Sequence, residues 1–181
     1  GCSRSGDYSV VYTYARKVGP VIASESNPSP AATIQLTSGG ISISVAAPSD
    51  PQVTHIRIYR TQAGGTVHLF DTELASTVTS TTLSKGDSSL GAAVDEDNDR
   101  PITTSQFVIY QDRGWLSDGV NLYYSKRFQI ESYPAFNTVK VGTTTDPIVA
   151  IVGSRLGLAV FTRRRKFRMV ESRGGISAVG D

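Results

Sequence analysis

The sequence predicts an all-β chain: an immunoglobulin-sized antiparallel sandwich over residues 1–100, then an antiparallel, blade-like unit over residues 101–181. Three observations predict it. Short runs of alternating apolar and polar residues recur at roughly 8–12-residue spacing, the rhythm of a sandwich. Ser, Thr and Gly are abundant while apolar residues make up only 39%, a balance that suits strands and tight turns better than helices. No window holds a 3.6-residue apolar period over three turns, so little helix is expected.

Tyr8 to Arg16 alternates, with Tyr8, Val10, Tyr12 and Tyr14 on one face, and reads as a strand. Gly19-Pro20 opens an irregular stretch, and Pro28 and Pro30 inside it cannot serve a central strand. Thr33–Thr37 and Ile41–Val45 are short strands around Gly39-Gly40, and residues 46–51 form a turn. Thr54–Arg60 places Ile56 and Ile58 on one side and His55, Arg57 and Tyr59 on the other. With Gly64-Gly65 and Thr66–Phe70 behind it, it reads as a hairpin. Thr77–Leu83 is almost all Thr, Ser and Val and is expected to face solvent.

Residues 95–101 are acidic and end on Pro101, which marks a boundary. Charge shifts across it: residues 1–100 hold 7 Lys/Arg against 10 Asp/Glu, and residues 101–181 hold 11 against 6. Beyond it, Gln106–Tyr110 is an apolar strand, and Gly114–Leu116 and Asn121–Ser125 flank a hairpin signal at Asp118-Gly119. Tyr133 to Phe136 reads as an aromatic loop. Ile148–Val152, Gly157–Thr162 and Lys166–Val170 follow as strands. The unit then holds one propeller blade and the start of another, and one blade cannot cover its own faces. Cover is expected from more chain or from other subunits.

Net charge is +2, too small for a nucleic-acid coat that works by charge alone. The single Cys2 excludes an intrachain disulfide and a Cys-cluster metal site, and it sits in a terminal stretch poorly suited to an oriented nucleophile. No run reaches the roughly 20 apolar residues of a membrane-spanning helix, and Gly1 to Gly6 lacks a signal-peptide core. That start reads as a loop cut from a longer chain, so a fragment is expected.

Catalytic candidates are few. His55 and His68 flank one turn, but no third ligand has suitable spacing. Asp95, Asp97 and Asp99 have calcium-loop spacing, yet Arg100 and Gln106 stand where such a loop needs Gly and Glu. Asp112, Asp118 and Glu131 are the carboxylates from which a glycosidase pair would be drawn. Nucleophile-elbow and phosphate-loop motifs are missing. Neither a cofactor nor an enzyme activity is expected. The sharpest charge feature is Arg163, Arg164, Arg165, Lys166 and Arg168. Three readings compete for it: DNA phosphates, a subunit contact, or a solvated hairpin tip, the last favoured by the strand alternation through Phe167 and Met169.

In combination these pieces resemble a family. Tyr8 to Pro30, then Thr54–Thr61, Gly64-Gly65, Phe70 and Asp87–Gly91, are similar to fibronectin type III-like modules of tailed-phage virion proteins. Gly114–Leu116, Asn121–Ser125, Tyr133–Phe136 and Asp146–Val149 resemble blade repeats of phage tail hub, nozzle and head-closure proteins. The resemblance implies a fibronectin type III-like sandwich inserted in a β-propeller. It also implies a virion structural role in the phage tail, a cyclic homo-oligomer, and contacts with other tail or adaptor proteins and with genomic DNA in transit. The sandwich would project outward. Trp115, Tyr123, Tyr133 and Phe136 are the expected interface or blade-core anchors. The alternative is a carbohydrate- or cell-surface-binding sandwich with an aromatic platform, or a domain of a glycan-degrading enzyme.

Overall fold

The tyrosine-rich alternation near the N-terminus grows into a 13-residue strand, β1 (Gly6–Val18), around which the first half of the chain is organised. The structure is a computed structural model and describes residues 5–172 and 175–180; Cys2, considered above as a nucleophile, lies outside them. Among the described residues there is no α-helix, strands are all antiparallel in pairing, and no sheet closes on itself. The chain divides into two compact units, Gly1–Glu96 and Asp97–Asp181, so the division falls inside the acidic stretch.

In the first unit β1 is followed by β2 (Val21–Glu25), β3 (Ala32–Leu36), β4 (Ile41–Ser44), β5 (His55–Arg60), β6 (Leu69–Ala75) and β7 (Ser80–Leu83). One edge of β1 pairs with β3 along its first half and with β2 along its second. Its other edge pairs with β5, from Val10 opposite Arg60 to Ala15 opposite His55, and β5 pairs with β6. β4 and β7 form a separate two-stranded sheet. Tyr8, Val10 and Ile58 from the large sheet meet Ile41 and Leu83 from the small one, and each such apolar side chain contributes roughly 1.5–3 kcal/mol when fully buried.

Two expectations are corrected here, those for the stretch after Gly19 and for Thr77–Leu83. The stretch after Gly19 is not irregular throughout, because β2 returns along β1 past a bulge between Arg16 and Lys17. Where prolines then stop the ladder, serines replace it: the Ser26 and Ser29 hydroxyls accept hydrogen bonds from the Tyr14 and Tyr12 amides. β3 and β4 part company at Gly39, whose φ of 111° only glycine adopts easily, and join different sheets. β7 is not wholly solvent-facing, since Leu83 is 1% exposed.

Among the described residues the second unit holds eight strands in two four-stranded meanders, so the second sheet, of which the sequence reading expected only the start, is complete. The first comprises β8 (Phe107–Tyr110), β9 (Arg113–Ser117), β10 (Asn121–Tyr124) and β11 (Thr138–Lys140). The second comprises β12 (Ile148–Ser154), β13 (Gly157–Thr162), β14 (Lys166–Ser172) and β15 (Gly175–Gly180). β11 and β15 escape the sequence reading because one is three residues long and the other begins and ends on glycine. The β8–β9 turn places Gln111 and Asp112 at φ 49° and 61°, the paired left-handed conformation of a two-residue type I′ hairpin.

The two meanders pack face to face. Trp115, Leu122 and Val141 from the first meet Ile148, Leu158, Val160 and Met169 from the second. This corrects the expectation that the apolar faces of this unit lack cover within the chain, for the inner faces cover each other.

Candidate functional site

Strand alternation gives each meander a second, outer face. In the first meander, Trp115 pairs with Val108 and Tyr124 and points inward. Phe107 and Ile109 pair with Leu116 and Gly114, and so point to the other side. Both are exposed, at 51% and 57%. The loop after β10 crosses this side: the Tyr133 hydroxyl, the Ile130 carbonyl and the Phe107 ring crowd the space where a Gly114 side chain would stand. Tyr133 is buried and its hydroxyl is unpartnered, and burial pushes that hydroxyl up to about 12.

In the second meander Leu158, Val160, Phe167 and Met169 face inward. Ala159 pairs with Arg168 and Val152, and Phe161 with Lys166 and Ala150, so these residues form the outer face. Val152, Leu156, Ala159, Phe161, Lys166 and Arg168 line a shallow groove of about 470 Å³ there. Its floor is apolar and its cations come from β14. Arg155 in the β12–β13 turn borders an adjoining depression with Arg168.

The basic cluster divides by position. Lys166 and Arg168 point outward from β14, whereas Arg163 and Arg164 form the exposed tip of the β13–β14 turn. Arg165 folds back: its Nε donates to an Asp146 carboxylate oxygen at 3.0 Å, and its guanidinium lies over the Phe167 ring. Asp146 also accepts from the Thr162 hydroxyl and the Arg164 amide. Burial alone would raise the Asp146 carboxyl, but these hydrogen bonds hold it below its ordinary range. Arg165 is therefore a strut of the turn rather than part of a free basic surface.

The four expected aromatic anchors fall into three environments. Trp115, 3% exposed, and Tyr133 are buried inside the second unit, with the Trp115 indole donating to the Tyr110 carbonyl at 3.1 Å. Tyr123 is half-buried and donates its hydroxyl to Asp118 at 2.8 Å. Phe136 is 70% exposed and is not a core residue. Phe107, Ile109, Val152, Arg155 and Leu156 were not singled out in sequence, although the continuous apolar run from Phe107 to Tyr110 is the pattern of a strand with both faces buried.

The three glycosidase candidates sit in two different turns and a loop of the second unit. Asp118 closes the β9–β10 turn, accepting from the amides of Val120 and Asn121 and from the Asn121 side chain. Burial opposes its charge, but these donors and Tyr123 lower its carboxyl to about 2, so near neutrality it has no proton to donate. Asp112 is a left-handed turn residue, and Glu131 sits exposed in the long loop. His55 lies 3.8 Å from Glu73 at one end of the β5–β6 hairpin, while His68 meets the Ser9 hydroxyl at the other end. Among the described residues no three His, Cys, Asp or Glu side chains are grouped to hold a metal ion, and Asp95, Asp97 and Asp99 form no such group.

The first unit keeps its polar cluster inside. Arg60 is fully buried between the carboxylates of Asp71 and Asp87, each at 2.7 Å, and also donates to the Thr61 and Lys85 carbonyls. Nearby, Arg57 and the Tyr59 hydroxyl both donate to Glu25. Burial first, and then that bond, raise the Tyr59 hydroxyl well above its ordinary range. Apart from the Arg57 Nε, which makes no hydrogen bond, these groups bond to one another, as structural polar networks do.

No protein-family model, curated protein or solved structure matches this chain.

Proposed function

We propose that this chain is a structural, non-enzymatic component of a tailed-phage tail machine, in the nozzle, hub or head-to-tail region of the virion, and that it works by assembling into a cyclic homo-oligomer among other tail or adaptor proteins. With this goes a finer reading of the fold: the first unit as a fibronectin type III-like sandwich and the second as a partial β-propeller.

One observation carries the assembly reading. Of the fifteen large hydrophobic side chains exposed among the described residues, ten lie in the second unit. They include Phe107 and Ile109 on one outer face and Val152 and Val179 on the other. Apolar patches of this kind mark surfaces that meet other protein. Rings follow when such contacts are heterologous and the rotation closes. The self-satisfied state of Asp118 and of the Arg60 cluster supports a role without catalysis.

Light scattering or native mass spectrometry on the purified chain tests this reading. The expected result is a discrete multiple of the chain mass, and a single-chain mass at every concentration would overturn it. The exposed Arg163–Arg164 tip supplies the DNA-facing element of the proposal. Duplex DNA binding by the assembly is expected to fall steeply with salt as counterion release is suppressed; binding that ignores salt, or none, removes the DNA element and leaves assembly standing.

A further inference from the structure

The register of the two meanders says which outer face should meet which. In the first, the residue pair flanking the two-residue turn is Tyr110 and Arg113. In the second it is Ser154 and Gly157. Counting two residues onward from each reaches Trp115 and Ala159, which therefore occupy equivalent faces of equivalent hairpins. Trp115 points into the interface between the meanders, and Ala159 points away from it.

The two sheets consequently do not pack as mirror partners. The Trp115 face of the first lies on the Leu158–Val160 face of the second, and these are opposite faces of the repeating unit. Such a stack is open at both ends. The exposed Phe107–Ile109 face is the equivalent of the inner Leu158–Val160 face. The exposed Ala159–Phe161 face is the equivalent of the inner Trp115 face.

We infer that the Phe107–Ile109 face of one copy packs on the Ala159–Phe161 face of a second copy, repeating across the subunit boundary the contact already made within the unit; this rests on the assembly reading above and names its geometry. Continuity with the existing interface favours a second copy as the occupant, and so does chemistry. The Phe107 face bears aromatic rings, with Asp118 held at its edge by Tyr123 and Lys140 on its outermost strand. The opposite face bears Lys166 and Arg168 around an apolar floor, and none of the residues that β12, β13 and β14 point outward is a carboxylate. Cations over aromatic faces and beside carboxylates are attracted. The second face, bearing Lys166 and Arg168 and no carboxylate, cannot pair with itself without bringing like charges together, so the contact is heterologous.

Two full-length double variants test the inference. One blocks the first face with Phe107→Lys and Ile109→Lys, and the other blocks the second with Val152→Lys and Val179→Lys. All four positions are exposed, and unchanged circular dichroism and melting temperature establish that each variant folds. Native mass spectrometry is expected to show each variant alone as a single chain and the equimolar mixture as a dimer of one chain of each kind, with nothing larger. Wild-type assembly together with either variant assembling unaided, or with a mixture that stays monomeric, overturns this geometry and leaves the assembly reading intact. A monomeric wild-type chain overturns both.

Discussion

The two halves of this chain solve the problem of covering a sheet in opposite ways. The first unit places charge inside. Arg60 is fully buried on Asp71 and Asp87, and its guanidinium lies over the ring of Tyr8. The second unit has an interior of aromatic and aliphatic side chains and leaves apolar residues on both outer faces. A buried ion network is a device for specifying one arrangement, whereas exposed apolar faces are a device for meeting a partner. A fully buried arginine is a feature of the first unit, and most of the exposed large apolar side chains lie in the second.

The largest effect is expected where the first unit keeps its charge. Arg60→Met leaves the Asp71 carboxylate buried without its cation, a change that typically costs about 3–5 kcal/mol. Urea unfolding should show that loss in the first unit. A change under about 1 kcal/mol would mean that Asp71 finds other partners, and the contrast between the halves would then be weaker than the buried pair implies.

A smaller loss is expected from Gly114→Ala in the second unit. The added methyl would collide with the Tyr133 hydroxyl and press on Phe107, and overpacking of this kind costs about 1–3 kcal/mol. Adding Tyr133→Phe removes the colliding hydroxyl, so the double variant should recover part of the loss. A double variant no more stable than Gly114→Ala would place the strain elsewhere.

The smallest effect concerns pH. The Asp118 carboxyl titrates at about 2 in the folded chain, below the ordinary value near 3.9. The unfolded chain therefore takes up the proton first. The stabilisation is present in full above about pH 4 and is lost as pH falls towards 2, most of it already discounted by solvent because the residue is exposed. Asp118→Asn should flatten the dependence of melting temperature on pH in that window for the second unit. An unchanged slope would show that Asp146, also held below its ordinary range, carries the acid response.

Strand content was legible where alternation was long. The β1 pattern, the β5 faces and the Asp118-Gly119 hairpin all follow from side-chain period and turn chemistry, which act over a few residues. β2 was hidden because Gly19-Pro20 and the later prolines suggested a loop, although the five residues between them pair as an edge strand. Of the candidate site, the outward cations Lys166 and Arg168 were legible, but the role of Arg165 was not. Asp146 lies far from it in sequence and is brought beside it only by the β12–β13 hairpin.

By itself the sequence determined that this chain is all-β, that helix is scarce and that charge shifts along its length, because those properties follow from composition and local period. Tertiary structure alone decided which faces close on each other and which stay open. In β8, β9, β12 and β13 both strand faces carry apolar side chains, so period alone does not choose between them. The choice is made by hairpin register, which turns the Trp115 face inward and leaves Phe107, Ile109 and Phe161 on the outer sides.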